Sequence, residues 1–248
     1  MSSTLHKTKG VVLRAVKYGE TSLIVSIYTE LFGLQSYLVQ GVRTSTRKAP
    51  GKANYFQPGA LLDLIVYHNE FKQLHRIKEF RWSYLYEHLL SDVIKNSVLV
   101  YMVELVQKTV KQPENNPDLF AFLENALTEL DRATPAVTAN FPLYFALHFT
   151  AFFGFQLSSP AGEALPILDL QEGCFTASYP QHVYYTDGTT ALALRELMKV
   201  MQPAELTEVP LHRQQRLQLL EVLETYYALH IPEFGKLKTL GVLQEVMR

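Results

Sequence analysis

Five short runs rich in Val, Ile, Leu and Tyr fill the first eighty residues, at 10–16, 22–29, 34–42, 60–67 and 73–80, separated by Gly, Pro, Asn and Glu. Only the segment 43–57 leaves room for a helix between them, so the runs read as strands. Alternation is imperfect, as in Leu61-Leu62-Asp63-Leu64-Ile65-Val66, which means that both faces of the sheet are covered along part of their length. Closing the sheet on itself does this and removes its free edges. The expected N-terminal module is therefore a five-stranded barrel of the OB type, with an SH3-like barrel as the other closed arrangement of five short strands.

After Trp82 the apolar period changes from two to about 3.6. Leu85, Leu89, Val93, Leu99, Met102, Val103, Val106 and Val110 trace one helical stripe that should stop before Pro113. Asn116 as N-cap, Pro117 in the first turn and Asp118 behind it open a second helix, carried by Leu119, Phe122, Leu123, Ala126, Leu127 and Leu130. An almost wholly apolar third helix is expected over 138–155, with Pro142 in its first turn. Residues 156–187 are broken by Pro160, Pro166, Gly173 and Pro180 and read as a loop-rich insertion. Helices follow over 189–200 and 211–230, and the tail 235–248 carries enough Leu and Val to dock back. The fold class is α+β, with a barrel over 1–80 followed by an all-helical domain over 81–248.

Phe141 to Phe155 is the longest apolar-leaning stretch, but Pro142, His148 and Thr150 interrupt it below the clean length of a membrane span. The opening residues lack the apolar core of a secretory signal, and Cys174 is the only cysteine, so disulfides and cysteine-rich zinc sites within one chain are excluded. A cytoplasmic protein without membrane association is expected.

The near-neutral net charge conceals an asymmetry. Residues 1–80 hold 11 Lys and Arg against 5 Asp and Glu, a net of +6, which leaves −7 on the remainder. A basic module of this kind suits a polyanion. Catalytic signatures are missing. Gly51-Lys52 has Thr46 where a phosphate-binding loop needs its leading glycine and Ala53 where it needs a hydroxyl for magnesium. His68 and His75, with Asp63 and Glu70, offer two imidazoles without an evident third ligand, a poor metal site. Cys174 reads as a small apolar packing residue. No catalytic residue, metal or cofactor is expected.

The densest polar feature is Arg43, Arg47, Lys48 and Lys52, set among Thr44, Ser45 and Thr46 directly after the third strand. Such a segment can follow a phosphate backbone, releasing one condensed counterion for each charge it neutralises. Arg14 and Lys17 are the expected neighbours, and Lys7 and Lys9 extend the patch if the first strand lies beside the loop. Tyr18, Tyr28, Tyr37, Tyr55 and Phe56 are interleaved as stacking platforms for unpaired bases, although tyrosines in small barrels usually pack.

With these residues in place, the chain resembles the RecO family of recombination mediators. The likeness rests on Lys9-Gly10-Val11-Val12-Leu13-Arg14, Tyr18-Gly19-Glu20 with Ile24-Val25, Phe32-Gly33-Leu34 and Val39-Gln40-Gly41-Val42-Arg43, in family order and spacing. Phe56-Gln57-Pro58-Gly59, Phe153-Gly154-Phe155 and Lys238-Thr239-Leu240-Gly241-Val242-Leu243 extend it over nearly the whole length. Many family members carry a four-cysteine zinc module after the central helices. Here residues 158–185 hold only Cys174, so zinc is expected to be absent and Leu168-Asp169-Leu170, Gly173 and Phe175 read as a metal-free replacement.

The resemblance implies a non-enzymatic protein that binds single- and double-stranded DNA through its barrel and anneals complementary strands. It further implies that such a protein works with RecR to load RecA onto DNA coated by single-stranded DNA-binding protein, whose acidic C-terminal tail it contacts, in the cytoplasm at the nucleoid. Two other classes remain at this stage. One is an OB-fold scaffold that binds proteins instead of DNA; the other is a hydrolase, which would require His68, His75 and Asp63 to converge.

Overall fold

The structure, a computed structural model, describes residues 4–43, 52–160 and 165–246. Five strands, β1 Thr4–Tyr18, β2 Ser22–Thr29, β3 Gly33–Val39, β4 Leu61–His68 and β5 Leu74–Trp82, form a closed barrel in the order β1-β2-β3-β5-β4. Closure through the short parallel pair of β3 and β5, matched at Ser36/Leu74, Tyr37/His75 and Leu38/Arg76, gives the OB order and sets aside the SH3-like alternative.

β1 is the element that shapes the barrel. Its first half pairs with β4 and its second half with β2, the two ladders overlapping at Gly10 and Val11. A side chain at Gly10 would collide with Ile27 and Leu64 on the two flanking strands, so the strand passes there only because the residue has none. A register shift between Val12 and Arg14 turns the strand from one partner to the other. The six polar-leaning residues 4–9 lie outside the sequence-based strand because their apolar content is low; pairing with β4 makes them strand. Val12, Leu23, Val25, Ile27, Tyr37, Val39, Leu62, Leu64 and Val66 fill the interior.

The expected helix from Leu85 onward begins only at Val93. Tyr86 donates its hydroxyl to the Gly59 carbonyl (2.7 Å), and Asp131 accepts the His88 and Leu89 amides (2.9 and 2.7 Å), so residues 83–92 are held in an irregular path by partners no periodicity shows. Asp92 then caps α1, Val93–Thr109, through the amides of Ile94 and Lys95. α2, Pro117–Arg132, starts as expected, with Asn116 Oδ1 accepting the Leu119 amide at 2.9 Å. α3, Pro135–Phe149, starts three residues before the expected position because Thr134 is its N-cap and Pro135 its first residue. Pro142 consequently sits in the helix interior rather than in the first turn.

The chain divides into two compact units, residues 1–87 with 106–128, and residues 88–105 with 129–248. In the first, the end of α1 and the start of α2 pack on the barrel: Gln107 donates to the Leu13 carbonyl, Tyr28 to the Asn116 carbonyl, and Lys9 pairs with Glu124 at 2.7 Å. In the second, α3 runs through the core. The stretch Pro135–Phe153 has the length and hydropathy of a membrane span, yet 67% of it is buried inside the protein, as in a core helix. α4 Gly188–Lys199 and α5 Arg213–His230 pack on it, and α6 Lys238–Val246 closes the chain.

Tyr227 and Tyr226 on α5 donate to the Ala146 and Phe155 carbonyls. Glu104 accepts the Lys238 and Thr239 amides, fastening the expected docked tail at the start of α6. The loop-rich insertion contains a small sheet of β6 Ile167–Asp169, β7 Cys174–Thr176 and β8 Tyr185–Thr186, in the order β7-β6-β8. Leu168, Leu170 and Phe175 are buried in it, and Asp169 closes its turn by accepting the Gln171 and Glu172 amides.

Candidate nucleic-acid interface

Strand pairing fixes which barrel residues face outward. Tyr18, Val16 and Arg14 on β1 stand opposite Ser22, Ile24 and Ser26 on β2; Ile24 and Ser26 in turn face Leu38 and Ser36 on β3, and Leu38 faces Arg76 on β5. Their sequence neighbours Leu23, Val25, Tyr37 and Val39 point into the core, so these residues line the outer surface. The helical segment 106–128 covers this surface toward Leu13 and Tyr28 and leaves the rungs from Arg14 to Tyr18 open. The result is a shallow face with Ser and aliphatic residues along its middle, Arg14 on one flank and Arg76 on the other.

Lys17 lies on the opposite side of β1 from Arg14, paired with Leu23 at the barrel mouth, and its side chain is exposed. Arg43 folds against the β1–β2 turn: its amide donates to the Thr21 carbonyl and its guanidinium to the Gly19 carbonyl at 2.9 Å. Lys52 opens a short 3-10 turn whose next residue, Ala53, donates to the Val42 carbonyl, so Lys52 stands beside Arg43. Arg47 and Lys48 lie outside the described residues. Lys17, Arg43 and Lys52 thus meet at one end of the barrel, next to the open face that Arg14 borders. Among the described residues, none of the four makes an ion pair.

Lys7 and Lys9 do not extend this group. Lys9 is held by Glu124, whose hydrogen bond raises its pKa, and Lys7 lines a recess with Asp63, Glu79 and Arg81 on the β1–β4 side. Of the five aromatics that the sequence offers as stacking platforms, Tyr28, Tyr37 and Phe56 are buried and Tyr55 stacks on Trp82 (4.8 Å between ring centres). Tyr18 alone stands free, 54% exposed at the edge of the open face.

No shared acid/base site forms from the remaining polar candidates. His68 and His75 stack ring on ring at 4.6 Å, and burial, reinforced by neighbouring positive charge, holds both imidazoles below their ordinary pKa. Asp63 points to the other side of β4, where Arg81 binds it at 2.9 Å. Among the described residues, no three His, Cys, Asp or Glu side chains gather as metal ligands.

Comparison with known proteins agrees with this architecture. The N-terminal family model of recombination protein O matches residues 1–86, and the C-terminal model of the same protein matches residues 90–161. The DNA repair protein RecO of Flavobacterium psychrophilum is 34% identical over 242 residues, covering 97% of this chain and 98% of its own length. That of Bacteroides fragilis is 32% identical over 243 residues (98% and 99%), and that of Flavobacterium johnsoniae 32% over 244 (97% and 98%). The chain belongs to the RecO family.

Within this RecO family chain, three residues near the open face escape sequence reasoning. Arg76 is isolated in a strand, and only the parallel β3–β5 pairing carries it to the rim of the face. Lys72 lies in the β4–β5 loop, on a cleft of about 600 Å³ with Arg76, Tyr67 and Leu38. Phe71, beside it, is 77% exposed. An aromatic residue inside a polar turn, Asn69-Glu70-Phe71-Lys72, is the signal that could have found it.

Proposed function

We propose that this chain is a recombination mediator acting in DNA repair, which holds single- and double-stranded DNA by its phosphates on the open barrel face. Arg14, Lys17, Arg43, Arg47, Lys48 and Lys52 supply the positive charge. Contacts of this type position a backbone without reading its bases, so little sequence preference results. Complementary strands held on one basic surface repel each other less and find their pairing, which gives annealing without any bond made or broken. In the same reading the protein acts with RecR to bring RecA onto DNA coated by single-stranded DNA-binding protein, engages that protein's C-terminal tail, needs no cofactor, and works in the cytoplasm at the nucleoid.

The observation that carries this reading is the meeting of Lys17, Arg43 and Lys52 at one barrel end beside the face bordered by Arg14. No carboxylate among the described residues neutralises them. Reversing Arg43, Arg47, Lys48 and Lys52 together to Glu should abolish binding of fluorescent oligonucleotides and strand annealing while the circular dichroism spectrum stays unchanged. Unchanged affinity at low salt would refute the assignment. A barrel that serves only as a protein scaffold would show neither DNA binding nor its salt dependence.

A further inference from the structure

Resting on the DNA reading above, we infer that Phe71, at the tip of the β4–β5 loop, is a stacking residue for an unpaired nucleobase and gives the barrel a single-strand site distinct from its phosphate contacts. The loop is a fixed turn: Asn69 Oδ1 accepts the Phe71 amide at 2.9 Å, and the Asn69 carbonyl accepts the Lys72 amide at 3.0 Å. A short side-chain-to-backbone lock of this type holds the backbone at the tip. It presents a ring 77% exposed to water.

One exposed aromatic alone means little, since folded surfaces carry many apolar atoms. What gives Phe71 a ligand is its surroundings. Its turn neighbours Asn69 and Lys72 line a cleft with Tyr67 and Arg76, and Phe71 itself stands outside that lining. Through Leu38, Arg76 continues into the open rung of Ile24 and Val16 that leads to Tyr18. Cations beside an exposed ring match the two halves of a nucleotide: a phosphate for Lys72 or Arg76, and a base face for Phe71. In a duplex the base faces are already occupied by stacking, so only the phosphates remain to be gripped. Phe71 therefore favours single strands, whereas the basic residues serve both forms.

Because the side chain is exposed, replacing it should leave the fold intact. With F71A, affinity for a fluorescent 20-nucleotide oligo-dT should fall about tenfold, the loss of one base stack, while affinity for a 20-base-pair duplex changes less than about twofold. F71W supplies a direct reading, with the wild-type chain and its single Trp82 as baseline: oligo-dT should quench the added indole and duplex should not. Equal losses for single strand and duplex, no loss in either, or an indole that oligo-dT fails to quench would overturn the role of Phe71 while leaving the DNA reading standing. A wild-type chain that binds neither oligonucleotide at low salt would overturn both.

Discussion

Replacing Asp131 with Ala tests how residues 83–92 are held. Asp131 is almost wholly buried, and one of its carboxylate oxygens accepts the amides of His88 and Leu89 at 2.9 and 2.7 Å. Leu89 is itself fully buried, so water cannot replace the carboxylate without opening the structure. Leaving the buried Leu89 donor unmade costs about 1–3 kcal/mol, and the part-buried His88 amide brings the loss to about 2–5 kcal/mol. Against a total stability of about 5–15 kcal/mol this is a large fraction, equivalent to a fall in melting temperature of about 4–20 °C for a protein of this size. Thermal melts followed by circular dichroism measure it directly. D131N keeps an acceptor oxygen in the same place and should lose less than D131A. A D131A melt within about 2 °C of wild type would refute the reasoning, because it would show that the two amides need no carboxylate.

Two further outcomes follow from the geometry. Gly33 has φ of 60° and its missing Cβ would lie against the Glu114 backbone, so G33A should destabilise the barrel unit by about 2 kcal/mol or more, seen as a lower urea midpoint; an unchanged midpoint would contradict the close approach. His148 is held below its ordinary pKa of 6.5 mainly by burial, partly offset by its contact with the Val200 carbonyl at 2.8 Å. A His depressed in the folded state contributes stability that is complete above pH 6.5 and is lost as pH falls through the folded value. His68 and His75 act in the same direction. The melting temperature should therefore drop from pH 7 to pH 5, and H148Q should drop less steeply; parallel slopes would assign the acid sensitivity elsewhere.

The barrel was legible because its core strands carry their signal locally: Val25, Ile27, Leu62, Leu64 and Val66 lie in short runs dense in β-branched and aliphatic residues that Gly and Pro punctuate. β2 and the start of α2 match their expected positions for that reason. What was not legible depends on long-range partners. Leu85 and Leu89 fall on a helical stripe, but Tyr86 and Asp131 bind the chain there in another conformation. Residues 4–9 become strand only because β4 lies beside them.

The candidate site follows the same division. Arg43 and Lys52 stand out in the sequence as part of one cluster, and the stems of their loop do lie side by side. Lys9, offered by the sequence only as a conditional extension of the patch, is held instead by Glu124, 115 residues away. Arg76 and Phe71 carry no linear signal that ties them to the cluster. Their place beside the open face comes from the parallel closure of β3 onto β5.

The central claim is that this face grips the phosphates of DNA, and the salt dependence of binding tests it most directly. Each neutralised phosphate of a single strand contributes about −0.7 to the slope of log affinity against log salt, so six cations give about −4. Affinity for a fluorescent oligo-dT should then fall about 300-fold between 50 and 200 mM NaCl, and the reversal of Arg43, Arg47, Lys48 and Lys52 should flatten whatever binding remains. A wild-type slope near zero would contradict the account.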